Sequence, residues 1–484
     1  MATLSDISLG MRTAAIALPA GAALVGWLAP RSRIATCVAL GGGVFATAMA
    51  LPLAWAGRRV EMPASTDAEL PWLSVIVPAR DEAAVIEALI ADLGRQDHLA
   101  EDGAPRFDVT IVDDRSKDGT GAVAEAALQR AGLEGTSRVR RRRRQEPDGK
   151  GAALASVPLT ELRGQAVVVL DADARIAPDF LRIAAELIAS GTDAITARRR
   201  MLLPTGNGRI TRLLAQVQDD EQTVDGEIQL GRRALGGASE LRGNGMVLRT
   251  EVLAAAGGWG VAALCEDLEL STRLFGRSGR GVAWARDLQV WEEPVVGPRA
   301  IVRQRIRWAE GLVRRDLRET LPLLSRQGLR ASQRLDVLAW FSQSLAPWAA
   351  IGLLVAHHPG SRRRLALLAA AYGLGAGFLT WDALRWSVGP EGLTAPVAQR
   401  TRRAIAVVGW SALWLLVLPV GWVRVAIGRG EMRFAKTVHR GGYEPGGQVP
   451  SSAPKDRRSP RPPGRQAGPD RTEDRRPRTA KVEA

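Results

Sequence analysis

Apolar positions follow three different patterns along the chain. From about Met11 to Leu28, and again from about Ile34 to Ala56, they run almost unbroken, ending at Pro30-Arg31-Ser32-Arg33 and at Arg58-Arg59. Runs of this length suffice to cross a bilayer. A signal peptide is the competing reading of the first run. No small-residue cleavage pattern stands out, however, and a second, longer run follows at once, so a transmembrane hairpin is expected over residues 1–60. Residues 61–71 are polar, carry Pro63 and read as a linker.

From Trp72 the period changes. Leu73-Ser74-Val75-Ile76-Val77 is a short apolar run closed by Pro78, the pattern of a buried strand, and Val85, Ile86, Leu89, Ile90 and Leu93 then recur at helical spacing. Phe107–Val112 predicts a second strand with a helix from about Thr120 to Arg130. Ala166–Leu170 predicts a third, with a helix from about Pro178 to Ala189. This alternation predicts an α/β domain over 72–298, built on a parallel sheet with helices on both faces. Functional groups then belong at the carboxyl ends of the strands.

Residues 299–330 are basic and amphipathic, with Ile301, Ile306, Leu312 and Val313 among Arg303, Arg305, Arg314 and Arg315, which suits helices lying in a membrane interface. Apolar runs return near 335–356, 364–386 and 404–427, so 331–428 reads as C-terminal transmembrane helices. Two crossings before the α/β domain and three after it would leave the chain ends on opposite sides. Residues 429–440 read as an interface or gating segment, and 441–484, rich in Pro, Gly, Arg and Asp, as a disordered basic tail.

Composition adjusts this picture in a few places. The 484 residues exceed one compact domain, and the net charge of +15 raises the question of nucleic acid. Much of that charge flanks apolar runs or lies in the tail, which fits anionic lipid headgroups instead. The run Arg140–Arg144 reads as a solvated face or a lipid contact, not a nucleic-acid site. Cys37 and Cys265 imply no disulfide framework, and His98, His357, His358 and His439 show no metal-site spacing.

Three acidic sites fall where the crevice should open: Asp113-Asp114 after the second strand, Asp171-Ala172-Asp173 after the third, and Glu266-Asp267 later on. In extended backbone Asp171 and Asp173 project to one side and can share a hard divalent cation such as Mg2+ or Mn2+. Each acidic site also has a plain structural reading, as a cap, a solvated turn or a complement to a helix dipole.

Taken in order, the motifs resemble the family 2 glycosyltransferases, in the membrane-embedded branch that includes cellulose, hyaluronan and poly-N-acetylglucosamine synthases. The resemblance spans about Leu73 to Gly311. It rests on Val75-Ile76-Val77-Pro78-Ala79-Arg80-Asp81-Glu82, Ile111-Val112-Asp113-Asp114-Arg115-Ser116, Asp171-Ala172-Asp173, Gly243-Asn244-Gly245, Glu266-Asp267 and Gln304-Arg305-Ile306-Arg307-Trp308. The second motif has Arg115 where the family commonly has glycine.

The resemblance implies a GT-A fold and inverting transfer from a nucleotide-diphospho-sugar, a UDP-sugar above all, with a divalent cation. It places Pro78, Arg80, Glu82, Asp113 or Asp114, Lys150 and Asp171 at the donor, Asp173 and Asp171 on the metal, and Asp267 as general base. Glu266, Gln304, Arg307 and Trp308 fall on the acceptor and diphosphate side. Phe434-Ala435-Lys436-Thr437-Val438-His439 resembles the synthases' gating element. The expected product is a polysaccharide or a glycosylated lipid carrier, made at the inner face of the plasma membrane by a multi-pass protein with a cytoplasmic catalytic domain. The alternative is single addition to a polyprenyl phosphate, diacylglycerol or hopanoid. A non-catalytic scaffold or transporter is disfavoured, because only Asp382 and Arg385 place charge near a span.

Overall fold

A computed structural model describes residues 7–33, 35, 52–56, 69–204, 208–387 and 395–428. Most of the second apolar run and of the linker, the 429–440 segment and the 441–484 tail lie outside the described residues.

The strands form where β-branched and aliphatic residues cluster. β1 (Leu73–Ala79), β2 (Phe107–Asp113) and β4 (Ala166–Val169) are almost fully buried. They lie with β3 (Ser137–Arg141), β5 (Arg175–Ile176), β6 (Ala194–Met201), β7 (Met246–Arg249) and β8 (Ala283–Glu292) in one eight-stranded sheet of order β3-β2-β1-β4-β7-β6-β8-β5. The first half is parallel, as the sequence predicts. β7 runs antiparallel to both β4 and β6, so the sheet is mixed rather than parallel throughout.

Alternation along β1 feeds two cores. Leu73, Val75 and Val77 join one buried cluster and Ile76 the other. The first core is covered by α2 (Ile86–Leu93), α3 (Thr120–Arg130) and α5 (Phe180–Ala189). Each fully buried Val, Leu or Ile contributes about 1.5–3 kcal/mol. Ala79 pairs with Asp113 and Ile76 with Val169, so the parallel register brings the carboxyl ends of β1, β2 and β4 to one rim.

Two elements depart from expectation. β3 is an edge strand built from the arginine run, whose side chains find local acids: Arg140 sits 3.6 Å from Glu161 and Arg141 2.9 Å from Glu125. The 26-residue helix α6 (Arg209–Ala234) was not foreseen, because its buried face is acidic. Each of these acids meets an arginine from another element: Asp219 with Arg200, Asp220 with Arg403, Glu221 with Arg305, Asp225 with Arg242, and Glu227 with Arg286. Charge pairing replaces the apolar stripe that a sequence scan looks for.

Among the described residues four helices are long and apolar enough to cross a membrane, spanning Leu9–Leu28, Ala331–Val355, Pro359–Trp386 and Val397–Ile427. α1 (Leu9–Leu28) and α11 (Ala331–Val355) touch backbone to backbone. A Cβ added at Gly26 would stand 2.0 Å from the Ala349 carbonyl oxygen, and one at Gly352 1.9 Å from that of Ala23. Such close approach is what small residues permit between membrane helices. Gly352→Leu is therefore expected to separate α1 from α11 and lower the melting temperature in detergent, at a cost of about 1–3 kcal/mol or more.

α12 (Pro359–Ala383) returns toward the catalytic domain. The last apolar run divides at Ala412 into α13 (Val397–Ser411) and α14 (Leu413–Ile427). Arg403 at one end pairs with Asp220 of the catalytic domain. α14 then follows α9 (Pro298–Arg315), with Gly421 against Ala309 and Arg424 near Glu310, and Gly428 ends against Arg12 at the start of α1. Both ends thus lie in the catalytic half of the molecule.

Candidate active site

At the rim, a cavity of about 1600 Å3 opens between the catalytic domain, α9 and the apolar helices. Pro78, Arg80, Glu82, Asp114, Lys150, Asp171, Asp173, Glu266, Asp267, Gln304, Arg307 and Trp308 all line it. Residues separated by up to 230 positions in sequence are gathered by the strand ends and two helix starts.

The donor-side wall begins at Asp114, whose backbone N–H donates to the Ala79 carbonyl at 2.7 Å. Its carboxylate accepts from Arg115 Nε at 2.8 Å and from the buried Arg142 at 2.6 Å. Arg115 takes a left-handed φ of 64°, a conformation glycine reaches freely and arginine at a cost of roughly 1 kcal/mol. Its guanidinium bridges Asp114 and Asp148, which offsets that cost, and Asp148 also receives Arg80. Arg142, the third member of the arginine run, is thus a buried support for Asp114 and not a solvated side chain. Arg142→Ala should raise the donor KM about tenfold with kcat little changed, the size of one lost charge-assisted bond. Steady-state nucleotide release checks this.

Asp113 does not line the cavity. It accepts from the Ser116 N–H at 3.1 Å and shapes the turn, and Gly121 leaves it room, since a Cβ there would stand 2.6 Å from Asp113 Oδ2. Of the two adjacent aspartates, Asp114 is the one that lines the cavity.

Lys150 starts α4 (Lys150–Ala155), and its ammonium donates to Asp171 and to the Gly243 carbonyl and lies 3.4 Å from Glu266. Burial alone would lower its pKa; the Asp171 and Glu266 carboxylates outweigh that and raise it. Glu266 and Asp267 open α8 (Glu266–Ser278). Burial pushes the Glu266 carboxyl up to about 7, with Lys150 opposing and Asp267 adding to the rise. Asp267 Oδ1 accepts the Leu268 N–H at 2.9 Å, while among the described residues Oδ2 accepts no hydrogen bond. A Cβ placed on Gly243 would sit 3.3 Å from Lys150 Nζ, 3.6 Å from Asp267 Oδ2 and 3.8 Å from Glu266 Oε1, so the glycine keeps open the point where the three side chains converge.

After β4 the backbone turns instead of continuing extended, the Ala174 N–H donating to the Asp171 carbonyl at 2.9 Å. Asp171 faces Lys150. Asp173 is buried beside the Glu293 N–H at 3.3 Å. Among the described residues no three His, Cys, Asp or Glu side chains converge as a free-standing metal site. Two cavity-facing carboxylates nevertheless fit a Mg2+-like cation that arrives with a diphosphate, because such ions take one or two protein carboxylates and fill the remaining positions with phosphate and water.

On the acceptor side Arg305 lies under Trp308, its Cζ 4.4 Å from the ring centroid. Glu221 of α6 holds Arg305 and also accepts the indole N–H of Trp410 at 3.1 Å and of Trp414 at 3.3 Å. This wall of the cavity is thereby tied to α6, α9, α13 and α14 at once.

A family model described as glycosyltransferase like family 2 matches residues 71–311. The Beta-monoglucosyldiacylglycerol synthase of Synechocystis sp. is 31% identical over 377 residues, covering 76% of this chain and 75% of that protein. The chain belongs to glycosyltransferase family 2. The Beta-monoglucosyldiacylglycerol synthase of Trichormus variabilis is 32% identical over 387 residues, 78% of each chain. Among solved structures, a mannosyltransferase from Pyrobaculum calidifontis in complex with GDP-Man and Mn2+ superposes with a TM-score of 0.53 at 22% identity, over 84% of this chain and 99% of that one. That likeness establishes the GT-A fold.

Within this family 2 site several cavity residues escaped the sequence reading: Arg199, Glu221, Asp225, Arg232, Arg242 and Glu292. Asn244 lies in the Gly243-Asn244-Gly245 motif, which the family resemblance reads as an acceptor-side loop. Its side chain accepts the Asp171 N–H at 3.1 Å and donates to Glu292 at 3.2 Å, and so positions the Asp171 turn. The run Arg198-Arg199-Arg200 was the available signal for Arg199, which pairs with Glu292 on the neighbouring strand.

Proposed function

We propose that this enzyme adds one hexose, glucose in the first instance, from a nucleotide-diphosphate sugar to the free hydroxyl of a membrane lipid of the diacylglycerol type. The observation that carries this is the continuity of the cavity. From Asp267 it passes Trp308 and Trp340 and goes on between apolar side chains of α1, α11, α12 and α13. A growing glycan needs polar and aromatic walls; apolar walls suit acyl chains. The names of the relatives support the same choice, so the single-addition alternative replaces the polysaccharide expected first.

The roles follow from placement. Asp114 and its arginine frame hold the nucleoside end of the donor. Asp171 and Asp173 would hold a divalent cation, which supplies charge neutralisation for the departing diphosphate. Lys150 keeps Asp171 and Glu266 apart as charges and so holds the floor of the site in shape. Asp267 Oδ2 takes the proton of the lipid hydroxyl. With displacement from the face opposite the diphosphate, the product is the inverted, β-linked glycolipid. Gln304, Arg307 and Trp308 present the acceptor at the membrane surface.

Purified protein in detergent, offered UDP-glucose, UDP-galactose, UDP-N-acetylglucosamine or GDP-mannose with diacylglycerol and Mg2+, tests the reading by mass spectrometry of the lipid. Formation of a monohexosyl lipid from UDP-glucose is expected. A soluble polymer with no lipid product would sink it.

We also place the catalytic domain on the cytoplasmic side, with the chain returning there at Gly428. A reporter fused after Gly428 should give the same sidedness as one inserted in an exposed loop of the catalytic domain. Opposite sidedness would mean that residues 397–427 cross the bilayer.

A further inference from the structure

The apolar extension of the cavity is longer than a hydroxyl-bearing headgroup requires. On α11 it is lined from Leu335 to Ala350, roughly 22 Å at 1.5 Å per residue. One leaflet of a bilayer offers about half of a 30 Å hydrocarbon core. The arm is therefore deep enough to take the whole tail of a lipid from the catalytic-side leaflet. On α12 the lining runs on through Leu368 to Leu365, and Leu368 also packs on a buried cluster of Ala29, Ala35 and Leu353.

Resting on the lipid-acceptor reading above, we infer that one acyl chain of the acceptor is threaded into this arm while its hydroxyl lies at Asp267, and that Gly373 sets the chain length accepted. Gly373 lines the arm from α12, and among the described residues a Cβ added there would meet no atom within 4 Å, so a larger side chain at this position starts into open space. Four residues on, a Cβ added at Gly377 would also meet no atom within 4 Å among the described residues, but Gly377 does not line the cavity, which makes it the matched control on the same helix.

The effect on rate should come from exclusion and not from lost affinity. A tail moving from bilayer to an apolar arm exchanges one hydrocarbon environment for another, so little hydrophobic driving force is at stake. What the arm gives is position: a seated tail fixes where the hydroxyl sits, and placement of the reacting group governs transfer. A short tail reaches the same hydroxyl position without filling the arm.

Gly373→Trp, Gly373→Leu and Gly377→Trp are compared with the parent protein. The acceptors are dioctanoylglycerol and dipalmitoylglycerol in mixed micelles, and melting temperature is recorded for each variant. Gly373→Trp is expected to cut transfer to the sixteen-carbon acceptor about tenfold or more while holding the eight-carbon acceptor within about twofold, with Gly373→Leu intermediate and Gly377→Trp unchanged. If the ratio of the two rates is the same in the Gly373 variants as in the parent, or Gly377→Trp shifts it equally, the arm is not the acyl site. Should Gly373→Trp fail to fold, Gly373→Leu alone decides by the same ratio. Failure of the lipid reading itself would look different, because the parent protein would then glycosylate neither acceptor.

Discussion

Asp267→Asn is expected to abolish transfer, lowering kcat by about 10²–10⁴ while leaving donor binding near the parent value. The expectation follows from the different surroundings of two adjacent carboxylates. Glu266 is buried, faces Lys150 and has its carboxyl pushed up to about 7. Asp267 is half-exposed in the cavity, with one oxygen fixed by the Leu268 N–H and the other turned toward the space beside Gly243. Asparagine keeps the oxygen that accepts the Leu268 N–H and loses the basicity, so the fold should persist while the proton has no acceptor. Nucleotide release with and without lipid, together with donor affinity by calorimetry, checks both halves. A mutant with parental kcat would move the base elsewhere, and Glu266 would be next to test.

The second large effect is expected at Lys150. Its ammonium is the cation that Asp171 and Glu266 share, and Asp267 lies on the far side of the same opening. Lys150→Met removes the cation paired with Asp171 and Glu266 and leaves only the more distant guanidiniums of Arg199 and Arg242 to offset the carboxylates. Removing one partner from a fully buried ionic cluster costs about 3–5 kcal/mol, and with Lys150 and Asp171 partly exposed the loss here should fall below that. A fall in melting temperature and a large rise in donor KM are therefore expected together. Adding Glu266→Gln should return part of the stability, because it removes one of the stranded charges, and the double-mutant cycle measures the coupling. Purely additive losses would show that the two side chains do not act as a unit.

Much of the catalytic half could be read from the chain. The strand expected at Phe107–Val112 is observed as Phe107–Asp113, and the helix expected from Thr120 to Arg130 has those same ends. Aliphatic strands buried on both faces leave a strong signal in sequence, and so do acids placed directly after them. What was hidden is polar and buried. β3 presents Ser137, Arg138, Val139, Arg140 and Arg141, an edge strand whose charges are satisfied locally, so no apolar alternation marks it. α6 conceals its burial because every inward acid has its arginine elsewhere in the chain, and a pairwise relation of that kind cannot be seen from one segment. The last apolar run is long and apolar enough to cross a membrane, as its sequence reads, and what hydropathy does not give is its direction: it follows α9 and comes back to Arg12.

The glycine contact between α1 and α11 has a mechanical corollary. With Gly26 on the Ala349 carbonyl and Gly352 on that of Ala23, the two helices are keyed like cog and notch. Sliding one by a turn would drive a side chain into a carbonyl, so this side of the bundle behaves as a fixed jamb. α12 carries no such key at Gly373 or Gly377, where among the described residues an added Cβ would meet nothing within 4 Å.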